Sequence, residues 1–294
     1  MTSRFGRFWI SLCRNRSRFH QSALTKMTSS YAVDAVAEKP LDRKVAIVTA
    51  SSRGIGYSIA KRLAEDGAHV IISSRRQDHV DKALASLTAE NLDVSGMTCH
   101  VGNSDDRSNL LKQTAEKHGR IDILVANTAL NPQYDATHVE MSESRSDKLF
   151  NTNLQWSSFL MKETLPYMEP MRGGSIVFIT SNSALVPFQQ LETYGVSKTS
   201  LVGLTKTLVR QCSERNVRIN CVAAELVKTE CGNIMTENDF LTHKKTGMAQ
   251  PRLFGESQEC AGTVSFLCSD DASSITGATI VMATGMDSGL SLRA

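Results

Sequence analysis

Several things are missing from this chain, and each absence excludes something. No apolar run reaches the length of about 18 residues that a membrane-spanning helix needs, so no span is expected. None of the seven cysteines pairs with another as Cys-x-x-Cys. Cys13, Cys99, Cys212, Cys221, Cys231, Cys260 and Cys268 are odd in number and irregular in spacing, which implies neither a zinc site nor a disulfide frame. They read as reduced core thiols in a reducing compartment. Outside the N-terminus there is no basic patch, so nucleic acid is not an expected partner. No internal repeat or low-complexity linker divides the chain.

What is present is ordinary for a globular protein: 294 residues, 41% hydrophobic, 21% charged, with a net charge of +3. That length suffices for a large core. Residues 1–33 stand apart. Arg4, Arg7, Arg14, Arg16, Arg18 and Lys26 precede the first acid, Asp34, and Phe5, Phe8, Trp9, Leu12 and Phe19 could line one side of a helix. Arg-rich, Ser-containing, acid-free and amphipathic is the pattern of a mitochondrial presequence. The alternatives are a disordered basic tail, or an upstream start with Met27 as the initiator and a cytoplasmic protein.

From about residue 40 to 294 the pattern alternates strand and helix. Lys44–Thr49 reads as a buried parallel strand, followed by Ala50-Ser51-Ser52-Arg53-Gly54-Ile55-Gly56 and a helix to about Asp66. Strand, Gly-containing turn and helix form the phosphate-binding opening of a dinucleotide fold, in which free N–H groups face a pyrophosphate. Gly67–Ser74 is the second strand. An acid for a ribose 2′-hydroxyl is missing at its end, which reads Ser74-Arg75-Arg76. Hydroxyl and guanidinium groups there, with Arg53 nearby, suit a 2′-phosphate and so NADP(H) over NAD(H). Further strands are expected near Gly96–Val101, Ile121–Val125, Ser175–Ser181, Val217–Val222 and Thr279–Met282. Helices are expected over Gln77–Glu90, Asp105–His118, Ser142–Met168, Tyr194–Glu214 and Ser257–Ser269. Residues 224–256 look like a long loop over a site. The expected architecture is one Rossmann-type α/β domain, a doubly wound parallel sheet whose ligands bind at the strands' carboxyl ends.

Tyr194-Gly195-Val196-Ser197-Lys198 carries the chemistry. Four-residue spacing puts Tyr194 and Lys198 on one helix face. A phenol titrates near ~10, and a neighbouring ammonium favours the phenolate, which makes Tyr194 a usable general acid or base. Ser181, at the fifth strand's carboxyl end, can hold a substrate oxygen beside it. Taken singly, each residue also has an ordinary structural reading; their joint position at strand ends argues for chemistry.

With its Gly-rich turn, Asn127-Thr128-Ala129, Asn153, Ser181 and Tyr-x-x-x-Lys in this order, the chain resembles the short-chain dehydrogenase/reductases from about residue 40 onward. Within them it is most similar to an NADPH-dependent carbonyl and retinal reductase branch, through Thr49-Ala50-Ser51, Asn131-Pro132, Val196-Ser197-Lys198-Thr199, Gly203–Leu208 and Glu259–Ser269. The resemblance implies that Tyr194 protonates a carbonyl oxygen held by Ser181. Lys198 would lower the Tyr pKa and bind the nicotinamide ribose, Asn153 would kink its helix and hold a water reaching Lys198, and Asn127 would steady the central strand. It also implies a homodimer or homotetramer and a small carbonyl substrate.

Several positions depart from the family pattern. Ala50 replaces the first Gly, a change the branch tolerates, and His100 replaces an acid expected to help bind adenine. Ala224-Glu225 stands where Pro-Gly would lie against the nicotinamide, and the ending Ser291-Leu292-Arg293-Ala294 is not the peroxisomal address. Glu225 motivates an alternative: a dinucleotide-binding regulatory or interaction protein with little turnover. Steroids, acyl thioesters or other small alcohols remain open as substrates.

Overall fold

The computed structural model describes residues 39–130, 141–168, 173–186, 191–224, 227 and 255–283. The basic segment 1–33, Asn131-Pro132, Pro187-Phe188, Glu225, most of the 224–256 loop and the C-terminal four residues lie outside them.

Among the described residues, seven strands build one sheet: β1 Val45–Val48, β2 His69–Ser74, β3 Val94–Thr98, β4 Ile123–Ala126, β5 Gly174–Ser181, β6 Val217–Ala224 and β7 Thr279–Val281. All pairs are parallel, in the order β3-β2-β1-β4-β5-β6-β7. The expected doubly wound fold is what forms. The helices are α1 Gly54–Glu65, α2 Gln77–Ala89, α3 Ser104–His118, α4 Glu143–Phe150, α5 Trp156–Met168, α6 Glu192–Ser213 and α7 Ser257–Cys268.

Strand β1 shows why both faces are covered. All four of its residues are buried, and they alternate between two cores. Ala46 and Val48 join Ile59 and Leu63 of α1, Val80 of α2 and Val264 of α7. Val45 and Ile47 join Leu110 of α3, Leu160 of α5 and Leu201 of α6. Period-two alternation with helices on both sides makes such strands continuous apolar runs. Helix α3 has well-formed ends. Asn103 accepts from the Asp105 and Asp106 N–H groups, and Gly119 closes the helix at φ +73°.

The expected boundaries need four corrections, of which one is that β6 runs on to Ala224, paired with Ser181, rather than stopping at Val222 before a loop. Strand β3 starts at Val94 rather than Gly96 and stops at Thr98, because it pairs only along Val70–Ser74 of β2. Strand β4 begins at Ile123, since Asp122 turns its carboxylate to accept from the Val45 N–H at 2.8 Å. The helix expected over Ser142–Met168 is broken: Asn151–Gln155 form a π-type turn between α4 and α5, with Asn153 in it. Such turns mark places where a side chain is re-aimed for a particular contact.

Candidate active site

The first rim of the site lies at the carboxyl ends of β1, β2 and β4. Ala50 leaves β1 at φ +51°, a left-handed conformation that costs an L-residue of the order of 1 kcal/mol. Asn127 holds it there. Its amide donates to the Thr49 and Ala50 carbonyls, both at 3.1 Å, and its backbone N–H donates to the Thr49 hydroxyl at 3.1 Å. Ser51 donates to the Val48 carbonyl and accepts from the Ser73 N–H, stitching the turn to β2. Gly56 fits beneath: a Cβ there would stand 2.4 Å from the Asn127 amide nitrogen and 2.5 Å from the Ala50 oxygen.

Above this turn α1 begins at Gly54, after Arg53, with no side-chain cap and no acid in its first turn. Its N–H groups therefore face outward at the positive end of the helix dipole, as a pyrophosphate requires. Beside it, Ser74 ends β2, and Arg75 and Arg76 are exposed. Asp78 grips Arg76 with two hydrogen bonds at 2.9 and 2.8 Å, whereas Arg75 has no ion pair among the described residues. His100 follows β3. Its Nδ1 accepts from the Gly102 N–H at 3.1 Å, its backbone N–H donates to Asp106, and its ring meets Trp156 edge-on.

The second rim lies at the end of β5. Lys198 is 2% exposed and its Nζ donates to the Ile179 carbonyl at 2.9 Å. Burial pushes its pKa down from 10.5 to about 8, only partly offset by the nearby Cys221. Its Nζ lies 5.8 Å from the centre of the half-buried Tyr194 ring, one turn away on α6. The Thr180 hydroxyl donates to the Lys198 carbonyl at 2.7 Å, locking this turn of the helix onto the strand.

Ser181 closes β5 and starts the short 3₁₀ turn Asn182–Ala184. Gly195 is what lets α6 approach that turn, because a Cβ on it would come within 2.6 Å of the Ser183 carbonyl oxygen. A glycine inside a helix is unfavourable by about 1 kcal/mol against Ala, a cost offset here by the close packing it permits beside Tyr194. Asn153 is fully buried. Its oxygen accepts from the Leu130 N–H, and its nitrogen donates to the Leu130 carbonyl and to the Ser197 hydroxyl, which donates on to the Tyr194 carbonyl. Asn153 thus braces the backbone of Tyr194, and no hydrogen bond joins it to Lys198 among the described residues.

Ala50, Arg53, Gly54, Gly56, Ser74, Arg75, Arg76 and Asn127 lie at the first rim, and Asn153, Ser181, Tyr194 and Lys198 at the second. Thr49, Ser183, Gly195 and Ser197 are additions, since no sequence motif assigned them a part. Among the described residues there is no cluster of three metal-ligating side chains and no helix long and apolar enough to cross a membrane. Five cysteines, Cys99, Cys212, Cys221, Cys260 and Cys268, are buried.

The family described as enoyl-(acyl carrier protein) reductase matches residues 49–287. Over 246 residues the chain is 46% identical to dehydrogenase/reductase SDR family member 4 of Bos taurus, covering 84% of this chain and 88% of that protein. The chain belongs to the short-chain dehydrogenase/reductase family. It is 41% identical over 266 residues to human dehydrogenase/reductase SDR family member 2, mitochondrial, covering 90% of this chain and 94% of that one. A solved short-chain dehydrogenase/reductase of Serratia marcescens superposes with a TM-score of 0.76 at 30% identity, over 84% of this chain and 99% of that chain. As a short-chain dehydrogenase/reductase, this protein is an oxidoreductase that uses a nicotinamide dinucleotide. The uncapped α1 N-terminus and the acid-free end of β2 fit such a cofactor.

Proposed function

We propose that this short-chain dehydrogenase/reductase reduces carbonyl compounds with NADPH, taking ketones, aldehydes and α-dicarbonyls, with retinal as a candidate. The observation that carries this reading is the buried Lys198 beneath Tyr194 at the end of β5, next to Ser181. The Ser181 hydroxyl holds the carbonyl oxygen, and the Tyr194 phenol gives it a proton. The bound dihydronicotinamide supplies the hydride. Lys198, with a pKa of about 8, carries most of its charge at neutral pH in a place water does not reach. That charge favours the phenolate left on Tyr194. One of its three N–H groups is used on Ile179, which leaves two for ribose hydroxyls.

The α1 N-terminus would carry the pyrophosphate. Ser74, Arg75 and Arg53 would meet the 2′-phosphate, with Arg76 contributing less because Asp78 already holds it. The long helices suit assembly into a homodimer or homotetramer. Residues 1–33 are read as a mitochondrial presequence; the human member 2 relative bears that location in its name. A fusion of residues 1–33 to a fluorescent protein tests this by where the fluorescence goes.

The deciding experiment is NADPH binding and oxidation by residues 34–294 with diacetyl and acetophenone, beside Tyr194→Phe. Turnover lost in the variant while NADPH still binds supports the reductase. Tight NADPH binding with no turnover in either protein would favour the regulatory reading.

A further inference from the structure

Ser183 lies two residues past Ser181, in the 3₁₀ turn, and no motif singles it out. Its hydroxyl donates to the Ser181 Oγ at 3.0 Å, and its backbone N–H points at the same oxygen at 3.3 Å. A serine oxygen has two lone pairs and one hydrogen. Both acceptor positions of Ser181 are therefore taken by one neighbour, and its hydrogen has no acceptor among the described residues. Ser183 is itself fixed. It is 8% exposed, its carbonyl is wedged against Gly195, and the preceding carbonyl of Asn182 accepts from the Leu185 and Val186 N–H groups, both at 2.9 Å.

We propose that Ser183 is a positioning residue that turns Ser181 into an obligate hydrogen-bond donor, aimed at the substrate's carbonyl oxygen. This inference deepens the reductase reading and rests on it. Without the Ser183 hydroxyl, the Ser181 group regains freedom to rotate, and its O–H spends part of its time elsewhere. A carbonyl oxygen accepts only, so a donor-only serine is matched to it in the ground state. The match improves as negative charge grows on that oxygen during reduction, which is where a fixed donor lowers a barrier. The effect therefore belongs in kcat more than in KM.

The test uses the full chain and four variants: Ser183→Ala, Ser183→Thr, Ser181→Ala and the Ser181→Ala/Ser183→Ala double. With NADPH and acetophenone, Ser183→Ala is expected to lower kcat about tenfold, a fraction of the 10²–10³ typical of deleting a fixed donor outright. KM and NADPH affinity should move less than about threefold, and Ser183→Thr, which keeps the hydroxyl, should restore most of kcat. In the Ser181→Ala background, Ser183→Ala should add nothing.

A second readout needs no turnover. The carbonyl stretch of ¹³C-labelled acetophenone bound beside NADP⁺ should be red-shifted by the native protein, less so by Ser183→Ala, and not by Ser181→Ala. An unchanged kcat and stretch in Ser183→Ala, or an equal loss of kcat with and without Ser181, overturns the positioning role. If the native protein binds NADPH but reduces no carbonyl, the reductase reading fails, while the stretch still decides the part played by Ser183. A native stretch with no red shift overturns both.

Discussion

The two rims of the sheet are built on opposite terms. At the β1–β4 rim the polar side chains are satisfied before any ligand arrives. Thr49, Ser51 and Asn127 spend their groups on backbone, and what faces outward is a helix N-terminus and guanidinium groups. At the β5 rim, polar groups are left short. Lys198 is buried with a single carbonyl partner, and among the described residues Ser181 keeps a hydrogen without an acceptor and the buried Asn182 Oδ1 has no hydrogen-bond partner. Buried polar groups are nearly always paired in folded proteins, and exceptions call for a reason. Here the contrast supplies one: the first rim is a finished dock, and the second is a site that a ligand completes.

The largest effect that would break this comparison is expected from Lys198→Met. Turnover should fall by about 10²–10⁴, the range of a lost acid–base partner. Stability should rise, because a similar volume of apolar side chain replaces a desolvated cation; a gain of about 1–3 kcal/mol corresponds to a melting point raised by roughly 2–8 °C. The sign can be checked through pH. Above 10.5 both folded and unfolded states hold a neutral amine, and the group contributes nothing. As pH falls from 10.5 toward about 8 the unfolded chain takes the proton first, so stability drops, and the penalty stays below about 8. Denaturation midpoints of native protein and variant should converge at high pH and diverge below it. A variant that is less stable at neutral pH would remove the contrast between the rims.

Gly56→Ala attacks the other rim and should do the reverse. Its Cβ cannot coexist with the Asn127 amide or the Ala50 carbonyl, so the turn must open. NADPH should bind at least about tenfold more weakly, and stability should fall by about 1–3 kcal/mol. Isothermal titration and thermal melts read the two together. A finished dock loses binding and stability at once, whereas at the unfinished site the two trade against each other.

How much of this was legible in the sequence differs between the rims in the same way. The parallel sheet, its two helical faces and Tyr194, Lys198 and Ser181 at strand ends follow from apolar runs and spacings, because periodicity and helix faces are local properties, whereas Asn153 came only with the family resemblance. The break at Asn151–Gln155 left no mark in the periodicity, and only the family resemblance, through a kink at Asn153, anticipated it. It serves contacts from Asn153 to Leu130 and Ser197, and the partner across 44 positions leaves no periodic trace. Arg76 read as a candidate for a 2′-phosphate, and its pairing with Asp78, two residues on, was not part of that reading. Ser183 and Gly195 act through a contact between turn and helix that only the folded chain creates.

Arg75 sharpens the first rim further. Arg75→Glu places the missing acid at the end of β2 and removes a cation that no described residue pairs. The ratio of kcat/KM for NADPH over NADH should fall by about 10–100-fold. Arg76→Glu should change it less, since the guanidinium it removes is already gripped by Asp78. Equal effects would mean that the Asp78 pairing yields to the phosphate.

The smallest effect lies at the other end of the sheet, where β2 begins, and serves as a control for both rims. His118, at the end of α3, stacks on His69 with ring centres 4.0 Å apart, and His69 in turn meets Asp93 at 2.7 Å and Ser95 at 2.9 Å. Burial, then the neighbouring His69 and Lys117, lower the His118 pKa below 6.5, against a smaller opposing pull from Asp93. Above 6.5 both states hold a neutral ring and pH has no purchase on this group. Below it the unfolded chain binds the proton first, so stability declines with acid until the native pKa is passed. His118→Gln should flatten that decline in urea midpoints taken from about pH 7.5 to 5, modestly, because the ring keeps contact with water. Turnover at neutral pH should stay unchanged. A loss of activity in this variant would mean that the two ends of the sheet are coupled, and that the β5 rim is not the only place where the fold gives up stability for chemistry.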